Sequence, residues 1–168
     1  MQQEDVRNIP RAERIRPAIR IVVDPKVIQG AVWGGRSSTT IIDAWLEERV
    51  HLCVTEHIMR GYFQTLSRLQ PTALLETVLQ RLREGRGVRA FMVQAEGGPP
   101  EDEYFRCAQL SDSVAVVTHD ANLLDLVQLG GVAMVSPGAF VHRLLGSDSS
   151  PSRREVGASP LRPDPTNG

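Results

Sequence analysis

The chain has 168 residues, of which 41% are hydrophobic, and this is enough for one domain with a real core. Its 19 basic and 20 acidic residues give a net charge of −1, which excludes a protein that holds nucleic acid by bulk positive charge. Two cysteines exclude a disulfide framework and a thiolate metal cage. No apolar run approaches the roughly 18 residues of a membrane span. The N-terminus is charged and lacks an apolar signal core. We therefore expect a cytoplasmic protein with no membrane partner.

Both ends of the chain are polar. Residues 146–168 are rich in Ser, Pro, Gly and charge, and this composition predicts a disordered C-terminal tail. Residues 1–18 contain several spaced arginines and predict a flexible arm, which is either simply solvated or binds RNA or a partner. The folded domain is expected to cover residues 19–145.

The folded part alternates between strands and helices. Short β-branched or apolar runs predict strands at 19–23, 51–54, 88–93, 114–117 and 132–135. The segments between them predict a short helix or turn at 24–36, a helix capped by residues 37–40, two helices after Thr55 and Pro71, and helices at 101–110, at 121–129 and after 136–138. Buried strands separated by helices predict a parallel sheet covered on both faces. The expected fold is a three-layer α/β/α sandwich.

Acidic residues stand where two of these strands end. Strand 19–23 runs into Asp24, strand 114–117 runs into the turn with Asp120, and Asp102 lies in an acidic triplet that opens a helix. Each acid alone also suits a helix cap or a turn. Because sites form beyond the carboxyl ends of parallel strands, we expect a shared acidic pocket. Such a pocket suits a hard cation, Mg²⁺ or Mn²⁺, which promotes attack on phosphodiesters.

Four segments, in this order, resemble the PIN-domain family, and more specifically the bacterial VapC-like toxin components of toxin–antitoxin pairs. The segments are IRIVVDPKVIQGAV, HLCVTEHIMRGYFQTLSRL, EDEYFRCAQLSDSVAVVTHDANLLDL and VAMVSPGAFVHRLL. Asp102 precedes Asp120 by 18 residues, as expected for that family. The resemblance covers about residues 19–145, and it implies a PIN-like fold and a Mg²⁺- or Mn²⁺-dependent endoribonuclease.

The resemblance also implies roles for single residues. Asp24 matches the acid of the first strand, Asp102 matches the helix acid, and Asp120 matches the acid of a Thr-x-Asp turn that Thr118 orients. Asp24 and Asp102 would be the main metal ligands, and Asp120 would bind a second ion or orient the attacking water. The implied partners are RNA, a small antitoxin whose tail plugs the site and, often, a second copy of the toxin.

Two positions depart from the family pattern. The family's Asp-Thr-Asn triplet reads Asp24-Pro25-Lys26 here. The acid expected six residues after Thr55 is replaced by Gly61. A missing carboxylate weakens metal affinity, and a nearby lysine repels a dication. Two functions therefore remain open: a ribonuclease with reduced activity, and a catalytically degenerate PIN domain that binds RNA or a protein.

Lys26 has three interpretations. It points to solvent, it neutralises Asp24 in place of a metal ion, or it contacts an RNA phosphate while the metal still binds. A receiver-like domain also uses strand-end acids and a lysine, but the two successive helices before Val88 favour the PIN order.

The stretch RLREGRGVR supplies four arginines, Arg81, Arg83, Arg86 and Arg89. They are either the polar end of a helix and its loop or an RNA-binding patch beside the site. Aromatic residues make up only 5% of the chain, so the composition gives little support to base stacking.

Overall fold

A computed structural model describes residues 17–92 and 100–146 of the chain. The rest of the predicted arm and tail lies outside the described residues. The structure contains a six-stranded sheet in the order β3-β2-β1-β4-β6-β5. The strands are β1 (Ile19–Val23), β2 (Val50–Val54), β3 (Val88–Ala90), β4 (Ala115–Val117), β5 (Gln128–Leu129) and β6 (Val132–Val135). Neighbouring strands are parallel except for β5, which runs antiparallel to β6.

Seven α-helices connect or follow the strands. They are α1 (Pro25–Val32), α2 (Arg36–Leu46), α3 (Glu56–Leu66), α4 (Ala73–Glu84), α5 (Pro100–Leu110), α6 (Ala121–Leu124) and α7 (Pro137–Phe140), and α7 continues as a π-helical turn, Val141–Leu145. Side-chain oxygens cap five helix starts by accepting backbone N–H groups. The capping residues are Asp24, Thr55, Thr72, Asp120 and Ser136. Within residues 17–92 and 100–146, no helix has the length and hydrophobicity needed to cross a membrane.

The sheet is covered on both faces. Helix α5 packs across β1, β2, β4 and β6, whereas α2 packs against β2 and α7. The connection from β1 to β2 and the connection from β3 to β4 run in opposite directions along the sheet, so right-handed crossovers place α2 and α5 on opposite faces. Ile21, Val22 and Val23 are consequently fully buried, as expected for continuous apolar strands. The predicted three-layer α/β/α architecture is confirmed.

Three local predictions differ from the structure. The predicted helix at 121–129 ends at Leu124, because Gln128–Leu129 pairs with β6 across a turn in which Gly130 and Gly131 have positive φ angles. Helix α2 begins at Arg36, so residues 37–40 lie inside the helix rather than capping it. The edge strand β3 ends at Ala90 instead of residue 93.

The direction in which the chain adds strands to the sheet reverses at β1. The chain moves outward from β1 to β2 and β3, and it then crosses to β4 and β6 on the other side of β1. The carboxyl ends of β1 and β4 therefore form the topological switch point, where ligands bind in open α/β sheets. Asp24 follows β1 at this point, and Thr118 follows β4.

Candidate functional site

A row of polar residues lines the carboxyl edge of the sheet. The parallel register places the last residues of β2, β1, β4 and β6 side by side. The residue that follows each of these strands is polar. In sheet order, these residues are Thr55, Asp24, Thr118 and Ser136. Because adjacent strands lie about 4.8 Å apart, neighbours in this row are within reach of one another's side chains.

Asp24 is the buried acid of the row, with 8% of its surface exposed. Its Oδ1 accepts a hydrogen bond from the backbone N–H of Lys26 at 2.9 Å, and its Oδ2 accepts one from the Thr118 hydroxyl at 3.0 Å. A buried carboxylate is costly unless donors satisfy it, and these two donors also fix its orientation. Each carboxylate oxygen keeps lone-pair capacity for a further ligand.

Thr118 connects Asp24 to Asp120. The Thr118 side chain is fully buried, and its hydroxyl accepts the backbone N–H of Asp120 at 3.0 Å while it donates to Asp24. Asp120 is only partly buried, and its Oδ1 caps α6 by accepting the N–H of Asn122 at 2.8 Å. The structure thus brings together three of the residues that the sequence analysis singled out.

A tyrosine on the buried face of α3 also supports this edge. The Tyr62 hydroxyl donates to the backbone carbonyl of Val23 at 2.6 Å. Burial raises the pKa of Tyr62 well above its ordinary value, so the phenol stays protonated and continues to donate. This bond holds the end of β1, immediately before Asp24.

Helix α5 carries the expected acid, Asp102, and a second acid, Glu103. Asp102 is exposed, whereas only 23% of the Glu103 side chain is exposed. The Thr55 hydroxyl donates to Glu103 Oε1, and Glu103 Oε2 lies 3.9 Å from Nε2 of His57. Helical spacing in the sequence indicates that Glu103 is partly buried, because it is four residues before the buried Cys107 and shares its face of the helix. The family spacing, which selects Asp102, does not indicate this.

The two departures from the family pattern are in contact with each other. A Cβ atom placed on Gly61 would lie 3.5 Å from Cγ of Pro25, which is an ordinary van der Waals distance. At the position where the family carries an acid, α3 therefore packs against α1 and still has room for a Cβ atom. Lys26 is exposed, and its backbone N–H, rather than its ammonium group, bonds to Asp24. Within the described ranges, no ion pair joins Lys26 to Asp24.

Two members of the predicted arginine patch lie away from Asp24. Arg81 and Arg86 both pair with Glu48, which precedes β2, at 3.3 and 3.1 Å. Loops that enter parallel strands lie at the amino edge of the sheet, so these contacts are at the edge opposite Asp24. Arg89 lies in β3, one residue before the end of that strand, and donates to Nδ1 of His51 at 3.2 Å, while Arg83 is exposed on α4. RNA binding by the four arginines stays a prediction.

The donors at the carboxyl edge are hard oxygen atoms. Within the part of the chain that the structure describes, no three His, Cys, Asp or Glu side chains are grouped closely enough to hold an ion. Mg²⁺ is nevertheless often bound through one or two carboxylates, with water and substrate phosphates as the other ligands. Asp24 and Asp120, which Thr118 links, are the candidate carboxylates for a hydrated site of this kind.

Comparison with known proteins finds no family model that matches the chain and no matching curated protein. The PIN resemblance therefore rests on the four sequence segments and their order.

Proposed function

We propose that this protein is a divalent-metal-dependent endoribonuclease of the PIN toxin type, with reduced activity. The observation that carries the proposal is the buried Asp24 carboxylate at the topological switch point. Thr118 holds this carboxylate in one orientation and also holds the turn that carries Asp120. A fixed hard-oxygen donor beside a second carboxylate is a suitable arrangement for Mg²⁺ or Mn²⁺.

In this proposal the residues of the chain have distinct tasks. Asp24 and Asp120 ligate the cation, Thr118 keeps the two acids in register, and Tyr62 fixes the end of β1. When bound, the cation supplies Lewis-acid polarisation of the phosphate and lowers the pKa of a bound water. Asp102, the second main ligand that the family implies, is exposed at the start of α5 and stays a candidate ligand.

One observation favours a second function, a catalytically degenerate module that binds RNA or a protein without cleaving it. Glycine at position 61 leaves the edge without the acid that the family carries there, and Lys26 adds an exposed positive charge nearby. The ammonium group of a lysine attracts a phosphate and repels a metal ion, so Lys26 suits phosphate binding better than metal binding.

The first test is a calorimetric titration of Mn²⁺ into the metal-free protein. For the nuclease, we expect binding that disappears in Asp24→Asn, together with Mn²⁺-dependent cleavage of RNA that the same variant abolishes. Asp112→Asn is the matched control, because it removes the same charge at an exposed position whose positive φ angle of 52° suits asparagine. Absence of binding at millimolar Mn²⁺, without cleavage, would reject the nuclease and leave the binding module.

The partners in this proposal follow from the same family. They are a small antitoxin protein that covers the carboxyl edge, a second copy of the chain, and RNA as the substrate in the cytoplasm. Light scattering of the purified chain gives its oligomeric state. A monomer at all concentrations would reject the homodimer without affecting the nuclease proposal.

A further inference from the structure

A cleft of about 270 Å³, with both polar and apolar lining, opens next to the carboxyl edge, on the side of β2 and β3. Its lining includes Thr55, His57, Arg60, Phe91 and Glu103. Thr55 is the neighbour of Asp24 in the polar row, so the cleft begins about one strand spacing, about 4.8 Å, from the candidate metal-binding carboxylate. A ligand that places a phosphate at Asp24 would therefore place its adjoining group at this cleft.

Glu103 gives the cleft a fixed hydrogen-bond acceptor. The Thr55 hydroxyl oxygen already accepts the backbone N–H of Ile58 at 3.2 Å, and its own proton is donated to Glu103 Oε1. The backbone of α3 thus sets the orientation of Glu103 through Thr55. The second oxygen, Oε2, faces His57 at 3.9 Å, beyond hydrogen-bond distance, and keeps the capacity to accept from a ligand.

We propose that this cleft is a nucleobase subsite in which Glu103 favours bases that carry an exocyclic amino group over uracil. The inference rests on the proposed RNA-directed function of the neighbouring edge. A carboxylate only accepts hydrogen bonds. Adenine, cytosine and guanine offer it amino donors, whereas uracil presents carbonyl oxygens on both sides of its one N–H group.

Phe91 supplies an apolar ring to the same cleft. It follows β3 directly, and the pairing of Val54 with Ala90 puts it beside Thr55 in the row. A partly buried aromatic side chain at a cleft wall provides a stacking surface for one base. The low aromatic content of the chain argued against stacking in general, but a single base needs only one ring.

Arg60 adds a cation at the mouth of the cleft. Its Nη2 lies 2.7 Å from Oε1 of Glu56, but both side chains are largely exposed, so the pair is weak. Arg60 is therefore able to exchange this partner for a backbone phosphate of RNA. The cleft thus combines an acceptor, a ring and a cation, which are the parts of a site for one nucleotide.

The test measures the binding of short fluorescein-labelled oligo(A), oligo(C) and oligo(U) to the full chain by fluorescence anisotropy. Binding is measured in EDTA and again in Ca²⁺, a hard cation that takes oxygen ligands. We expect the wild-type protein to bind oligo(A) and oligo(C) about tenfold more tightly than oligo(U). The side-chain amide in Glu103→Gln can both donate and accept hydrogen bonds, so this variant should reduce the preference to within about twofold.

Two further variants separate recognition from general damage. Phe91→Leu should weaken the binding of all three oligomers by about tenfold without changing their order, because stacking is tolerant of sequence. Glu76→Gln removes the same charge from an exposed position of α4 and should leave the preference unchanged.

Equal wild-type affinity for the three oligomers would overturn the base subsite while leaving RNA binding intact. A preference that persists in Glu103→Gln would overturn the role of Glu103. If no oligomer binds in either buffer, both this inference and the RNA-directed function fail. The Mn²⁺ titration of Asp24 then reports separately whether the metal site exists.

Discussion

At the carboxyl edge of the sheet, the central charged group is buried and held by fixed donors, whereas at the amino edge charged side chains pair mainly with one another. Asp24 is held by Thr118 and by a backbone N–H, and it keeps capacity for a ligand. At the other edge, Arg81 and Arg86 share Glu48. The position of a charge in this α/β sheet, rather than the number of charges, therefore distinguishes the candidate site from the ion-pair cluster around Glu48.

The largest expected effect comes from replacing Thr118 by valine. The change removes a donor from the buried Asp24 carboxylate and leaves the Asp120 N–H without its acceptor. We expect a loss of about 3 kcal/mol in the free energy of unfolding, measured by urea denaturation. Thr118→Ser, which keeps the hydroxyl, should recover most of this loss.

Urea denaturation of a variant at the amino edge should show a much smaller loss of stability than Thr118→Val. Arg86→Gln breaks a largely exposed ion pair with Glu48 and should change the free energy of unfolding by less than about 0.5 kcal/mol. If the Thr118 and Arg86 variants had equal effects, the distinction between the two edges would be lost.

A smaller effect is expected when an acid is restored at Gly61. Gly61→Glu replaces a glycine inside α3 by a better helix former, and its Cβ would meet Pro25 at an ordinary contact distance. We expect a gain of about 1 kcal/mol in stability, together with tighter Mn²⁺ binding measured by calorimetry. Gly61→Ala is the control, because it should give the stability gain alone. Unchanged Mn²⁺ affinity in Gly61→Glu would argue against a cation at this edge.

The smallest expected effect is a change in the pKa of His51, which lies near the amino end of β2. Burial, and secondly the positive charge of Arg89, lower the pKa of His51 below its ordinary value of 6.5. As the pH falls through 6.5, the unfolded chain takes up a proton that folded His51 resists, so this residue makes the protein less stable in acid. Arg89→Gln should raise the His51 pKa, measured by NMR titration, while burial still keeps it below 6.5. No change in the variant would show that Arg89 does not act on His51.

Most of the sheet could be predicted from the sequence, because its strands are continuous apolar runs. The helix at 121–129 could not, since its apolar spacing suits a helix, and only pairing with β6 across Gly130 and Gly131 turns Gln128–Leu129 into a strand. The contact between Glu103 and Thr55 could not be predicted either. Family spacing points to Asp102, and Glu103 reaches Thr55 only because α5 packs across the sheet.

By itself, the sequence determined the features that depend on neighbouring residues. It placed Asp24 directly after one buried strand and Asp120 in the turn after another, and it supplied the capping residues Thr55 and Ser136, because strand ends and helix starts are local properties. Only the tertiary structure decided which of these residues meet. Strand register and crossover direction join residues that are far apart in the chain. As a result, Thr118 contacts Asp24, Glu103 contacts Thr55, and the arginine contacts with Glu48 lie at the opposite edge of the sheet.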